Sequence, residues 1–179
     1  MATLISGSTG VNKITDGTIT NADIASGAAI AGAKLVMPTG SVLQVLSTQT
    51  NATITTTSTE YQTTNWYLDI TPISTSSKIL VTLNGGGQYL GGSAGVTQYV
   101  TIYRDSTNLG DSNYGLSRFS TAGGSWSLTP HSCAVLDSPS STSSIRYQPY
   151  FKRAGNSATV NFSSGDRGKI TLTLMEIAG

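Results

Sequence analysis

Hydrophobic positions follow two different patterns along this 179-residue chain. In the first forty residues the large aliphatics are isolated among small and polar neighbours. Ile14, Ile19, Ile24, Ile30 and Leu35 stand 5, 5, 6 and 5 residues apart. An odd step sends successive side chains to opposite faces of a flat strand, and it also misses the three-and-four stripe of a helix. Short strand–turn units wound around a shared axis, with Gly at the turns, fit the spacing better. A helical rival puts Ile24, Ala28, Ala31 and Leu35 at coiled-coil spacing. Gly27 and Gly32 weigh against it, each costing roughly 1 kcal/mol in a helix interior. One copy of this segment buries too little to offset the entropy of ordering its backbone. Several copies around one axis would bury all five side chains, so the pattern predicts an oligomeric arm or stalk, with a disordered tail as the alternative.

Beyond Pro38-Thr39-Gly40 the pattern becomes one of short strands. Val42 to Leu46 opens it, followed by a Thr-rich run from Thr53 to Thr64 and a short strand from Trp66 to Ile70. Lys78 to Leu83 is the first strongly apolar strand, and Gly85-Gly86-Gly87 behind it predicts a loop or bulge. From Val96 to Arg104, Val96, Val100 and Ile102 fall on one face and Tyr99 and Tyr103 on the other. Asp105 to Asn108 reads as a turn, and Ser132 to Leu136 as the next strand. Ile145, Tyr147, Pro149 and Phe151 alternate with polar residues, and Gly155-Asn156 turns the chain into Ala158, Val160 and Phe162. The last strand, Lys169 to Ile177, sets Ile170, Leu172 and Leu174 against Thr171, Thr173 and Met175. Eight or nine short antiparallel strands without a helix predict an all-β sandwich head, jelly-roll-like, carried by an extended N-terminal arm. The organisation expected is a tip over residues 1–12, the repetitive arm over 13–37 and the head over 38–179.

Composition sharpens this picture. Only 11% of residues are charged, against roughly 25% in soluble domains, and 25 Ser and 27 Thr take their place. A neutral, hydroxylated surface suits a β protein exposed on a particle or outside a cell. The net charge of +1, without a basic cluster longer than Lys152-Arg153, argues against a nucleic-acid partner. No apolar run approaches the roughly twenty residues of a spanning helix, and the N-terminus lacks the pattern of a signal peptide. The expectation is a soluble protein made in a cytoplasm, with no membrane partner.

Chemistry is sparse. With one histidine, a zinc site of conventional type has no ligand set, so no metal or other cofactor is expected. His131 and Cys133 share a strand face and could in principle form a nucleophile pair, yet ordinary packing explains them better. Asp105, Asp111, Asp137 and Asp166 fall in turns, where Asp bends or caps the chain. No catalytic residues are assigned, and an enzyme is the last of the readings. Trp66, Trp126, Tyr89, Tyr99 and Tyr114 could make a sugar-stacking platform near the glycine loops. Trp126, Tyr114 and Tyr89 are its candidate glycan-binding residues, with packing in a core or subunit interface as the competing role.

Two stretches carry a resemblance. Ile14-Thr-Asp-Gly-Thr-Ile-Thr-Asn-Ala-Asp-Ile-Ala-Ser-Gly-Ala-Ala-Ile resembles the Asp-Gly-Thr-Ile and Ala-x-Ile-Ala-x-Gly repeats in fibres and decoration proteins of tailed bacteriophages. Gly40-Ser-Val-Leu-Gln-Val, Thr75-Ser-Ser-Lys-Ile-Leu-Val, Ile102-Tyr-Arg-Asp-Ser-Thr, Leu136-Asp-Ser-Pro and Leu174-Met-Glu-Ile-Ala-Gly resemble a C-terminal module of phage virion proteins. The resemblance implies a homotrimer with a winding arm and a sandwich head, a virion location and the major capsid protein as partner. Ile14, Ile19, Ile24, Ile30 and Leu35 would then line the trimer axis, and Leu4, Ile5 and Val11 would dock on the capsid. Only about twelve residues precede the repeat, where tail fibres carry a sizeable adaptor. The first reading is therefore a trimeric capsid decoration (cement) protein or head fibre. A short tail fibre that recognises a host surface polysaccharide comes second, and a lectin-like module acting alone third.

Overall fold

The computed structural model describes residues 37–90, 95–121, 127–155 and 158–179. The arm positions Ile14, Ile19, Ile24, Ile30 and Leu35, the tip residues Leu4, Ile5 and Val11, and Trp126 lie outside the described residues. The chain divides after Val36, and Met37–Gly179 forms the unit described below.

Among the described residues every regular element is a strand, and every pairing is antiparallel. The strands in chain order are β1 (Val42–Thr50), β2 (Ile54–Thr56), β3 (Gln62–Thr63), β4 (Leu68–Ile70), β5 (Lys78–Leu90) and β6 (Val96–Arg104). β7 (Thr107–Asn108), β8 (Ser117–Ser120), β9 (Ser127–Asp137), β10 (Ile145–Gly155), β11 (Val160–Ser163) and β12 (Ile170–Ile177) complete them. In the first sheet β5 is central. β9 flanks one side along its length, while β12 and then β11 share the other, with β1 outside β12 and β2 outside β11. In the second, β10 and β6 pair over nine positions, β3 and β4 edge β10, and β7 and β8 edge β6.

The two sheets form a β-sandwich because each long strand turns an apolar face to the other sheet. Ile79, Val81 and Leu83 of β5 and Ile170, Leu172 and Leu174 of β12 are fully buried. They share one core with Val96, Val100 and Ile102 of β6, Tyr147 and Phe151 of β10 and Phe162 of β11. These are the faces that the alternation predicts. Removing a buried Leu or Ile side chain from such a core costs about 2–5 kcal/mol.

Three local features differ from the sequence reading. The Thr-rich run yields two short strands, β2 and β3, and the segment after Asp105 adds β7 and β8, so the described residues hold twelve strands where eight or nine are expected. The glycine run does not end β5. It makes a register shift between Gly85 and Gln88, beyond which the strand continues to Leu90, as expected where a bulge inserts residues without breaking the ladder. Ser127-Leu128 and Ser132 to Leu136 belong to one strand, β9, which passes through Pro130 opposite that bulge. An edge strand at a bulge tolerates a missing N–H. Pro149 sits inside β10 for a related reason. Its carbonyl accepts from the Thr64 N–H and the Thr64 Oγ1 in the gap between β3 and β4, so no ladder donor is lost there.

Candidate functional site

His131 is buried beside Phe162, with ring centroids 4.4 Å apart, and its Nε2 lies 2.7 Å from the Phe162 carbonyl. A carbonyl only accepts, so Nε2 carries the proton and the neutral ring leaves Nδ1 bare, without a partner. Burial outweighs the hydrogen bond and lowers the ring's pKa to about 4. Cys133 shares this inner face of β9 but no hydrogen bond joins it to His131, and burial raises its thiol to about 11. A protonated thiol beside an unengaged ring is not an activated nucleophile. The pair is packing, as the strand pattern suggests.

Of the four aspartates read as turn residues, three are placed so. Asp105, at φ 49°, accepts from the Arg146 N–H at 3.1 Å, and Asp166 accepts from Ser164 Oγ at 2.8 Å. Asp111 Oδ1 takes the N–H groups of Asn113 and Tyr114 at 2.8 and 2.7 Å. Asp137 is different: it is buried at the end of β9 and paired with Arg104 rather than free in the turn. Among the described residues no group of three or more His, Cys, Asp or Glu could hold a metal ion. A shallow depression of about 390 Å³ is lined by Asp69, Asp105, Ser144, Arg146 and Gln148. Its charges are spent on each other, since Arg146 donates to both Asp69 oxygens at 3.0 and 3.3 Å and lies 3.5 Å from the centre of the Tyr67 ring.

Two outer faces remain. On the first sheet the register aligns Val45, Met175, Leu80 and Leu136 in one row across four strands. Val45 and Leu136 are 54% and 52% exposed. The next row is Ser47, Thr173, Thr82 and Ala134, and the one after it Gln49, Thr171, Asn84 and Ser132. These three rows carry no ionisable side chain. Surfaces that stay in water are rich in charge, whereas the centres of subunit interfaces are depleted of it.

On the second sheet, tyrosines gather outward. Tyr103 and Tyr150 stack at 4.1 Å, Tyr61 meets Tyr103 edge-on at 6.4 Å, and Tyr99 meets Tyr114 edge-on at 5.6 Å. The sequence-chosen aromatics therefore divide. Tyr114 is exposed in this cluster, Tyr89 pairs through its backbone within β5, Trp66 packs against the core, and Trp126 lies outside the described residues. Sequence reasoning missed Tyr61, Tyr103, Tyr150 and Lys152 as members. The outward alternation of Tyr99 and Tyr103 on β6 is the signal that leads to them.

No protein-family model matches the chain, and no curated protein matches it. Solved structures do. The infectious bursal disease virus Gx strain structure is 15% identical with a TM-score of 0.35, covering 76% of this chain and 37% of that one. T=1 particles derived from infectious bursal virus match at 15% identity and TM-score 0.39, over 85% of this chain and 41% of theirs. The VP2 subviral particle of infectious bursal disease virus matches at 17% identity and TM-score 0.35, over 85% and 42%. The chain thus spans less than half the length of each of these neighbours.

Proposed function

We propose that this chain is a non-enzymatic structural protein of a virion, a trimeric capsid decoration protein or head fibre that binds the major capsid protein and stabilises the shell. The observation that supports it best is the uncharged outer face of the first sheet. A four-strand apolar row is costly to leave in water, at about 25 cal/mol per Å², and a second copy of the same chain is its natural cover. With no charge in the three rows, like faces of neighbouring copies meet without repulsion. The isoleucine spacing of residues 13–37 adds a shared axis, on which three copies bring their heads together, and Leu4, Ile5 and Val11 supply the apolar contacts of a docking tip.

The test uses emptied heads of the virus that encodes the chain. Added protein raises their melting temperature, because a ligand that binds only the assembled state stabilises it. Copy number separates this reading from a short tail fibre: hundreds per particle fit a capsid role, and a few tens or fewer fit a tail. Unaltered head stability together with a low copy number overturns the decoration reading.

A further inference from the structure

Among the described residues the first sheet ends on one side in a long strand with no strand beyond it. β9 pairs with β5 alone, over Ser127–Asp137. The direction of its polar groups follows from alternation across the sheet. The Ala178 N–H donates to Ser41 O, on the β1 side, at 2.8 Å. Thr171, Thr173 and Met175 of β12 therefore turn their N–H and C=O toward β5, where Asn84, Thr82 and Leu80 face them. Leu83, Val81 and Ile79 turn theirs toward Cys133, Val135 and Asp137 of β9. That leaves the N–H and C=O of Ser132, Ala134 and Leu136 aimed at the open edge, and among the described residues no group bonds to them. Pro130 has the same parity, which suits a residue that has no N–H to give the ladder.

Strand edges are normally blunted by charge, by shortness or by a bulge. The edge strands β2, β3, β4, β7 and β8 have two to four residues each. β1 is long, but it carries a bulge between Val42 and Gln44, and Gln44 Nε2 donates to Thr71 O at 2.9 Å beside it. β9 runs without a register shift from His131 to Asp137, and Ser132 to Leu136 include no charged side chain. Cys133 and Val135 point inward and pack on the core, yet both stay half-buried. On the neighbouring strand Val81 and Leu83 are 0% exposed. What β5 has and β9 lacks is a strand on its second side.

We propose that this edge pairs antiparallel with the same edge of a second copy. A register centred on Ala134 sets Ala134 against Ala134 of the second copy and Ser132 against Leu136 in both directions. Every outward N–H and C=O of the stretch then finds a partner. Cys133 comes to lie beside Val135 of the other copy, which covers both. Pro130 and Pro139 bracket the stretch and stay out of the new ladder. A second copy fits because the uncharged rows of the outer face continue across the join: the Leu136 row meets the Ser132 row, and the Ala134 row meets itself. A contact between identical edges closes at two, so it joins two heads, or the heads of neighbouring trimers, side by side. One short edge is small beside a standard interface, so the pairing forms where molecules are crowded. The inference uses the head alone and stands apart from the role proposed above.

The test is disulfide capture in concentrated full-length protein whose native thiol is removed by Cys133→Ala. Paired Cα atoms across such a join lie about 5.5 Å apart, inside the roughly 4.4–6.8 Å that a disulfide spans. Ala134→Cys therefore oxidises to a linked pair of chains. Ser132→Cys and Leu136→Cys, each roughly 14 Å along the strand from its own image, link poorly alone and at least tenfold better when mixed. Adding Ala134→Lys to that mixture sets like charges opposite each other and lowers the yield at least tenfold. Circular dichroism confirms that each variant keeps a folded head. Ile19→Asp, which addresses the arm, leaves the Ala134→Cys link in place, so failure of the trimer and failure of this contact are told apart. No link through Ala134→Cys, a mixture no better than its components, coupling of Ala134→Cys to Ser47→Cys of β1 instead of to itself, or a yield untouched by Ala134→Lys overturns the proposal.

Discussion

Arg104 on β6 reaches across the sandwich to Asp137 on β9, its Nη1 donating to both carboxylate oxygens at 2.8 and 3.0 Å. Tyr147 on β10 donates its hydroxyl to the same carboxylate at 2.7 Å. The carboxylate is 9% exposed and the guanidinium 26%, so one acid from the first sheet pins two strands of the second. Burial first, and then this hydrogen bond, push the Tyr147 hydroxyl far above its ordinary pKa.

Removing the shared acceptor is therefore costlier than removing either donor. Asp137→Ala leaves a partly buried cation and a buried hydroxyl unpaired, and is expected to cost about 2–4 kcal/mol. That lowers Tm by roughly 10 °C in a domain of this size. Tyr147→Phe loses one hydrogen bond to that carboxylate and costs about 1.5 kcal/mol. Thermal melts of the two variants check the order.

His131 makes stability fall in mild acid. Its folded pKa, about 4, lies below the roughly 6.5 of the unfolded chain. Between these values the unfolded state takes up the proton and the folded state does not. The stabilisation is complete above about pH 6.5, drains as pH falls toward 4, and amounts to about 3 kcal/mol over the window. His131→Gln should flatten that part of the profile in urea titrations from pH 7 to 4. A parallel slope in parent and variant would sink the assignment.

For the trimer, the expected outcome of Ile19→Asp or Ile24→Asp is a protein whose head keeps its β spectrum but whose mass in solution falls toward the 18.5 kDa of one chain. Three carboxylates brought to one apolar axis cost several kcal/mol. Light scattering reads the result. An unchanged trimer mass means that these isoleucines do not face an axis.

For the uncharged face, Leu80→Asp places a charge in the middle of the Val45–Met175–Leu80–Leu136 row. Leu80 points away from the core, so folding is expected to survive while association between copies weakens at least tenfold by analytical ultracentrifugation. Thr82→Ala in the neighbouring row, a change without charge, should leave association near the parent value. Equal behaviour of Leu80→Asp and the parent argues that another surface joins the copies.

Strand identity was legible because it depends on alternation, a property of neighbours in the chain. Val96 to Arg104 and Lys169 to Ile177 read as strands with alternating faces and fold as β6 and β12, and the buried set Val96, Val100, Ile102, Ile170, Leu172 and Leu174 follows from the same rule. What the sequence could not supply was register. Val45, Leu80, Leu136 and Met175 are scattered over 131 positions (Val45 to Met175) and become a row only because β5 pairs with β9 and β12 at particular offsets. Asp137 looked like a turn residue until its partner arrived from a strand more than thirty residues away. Local spacing fixes which way a side chain points; only the pairing of distant strands decides what it meets.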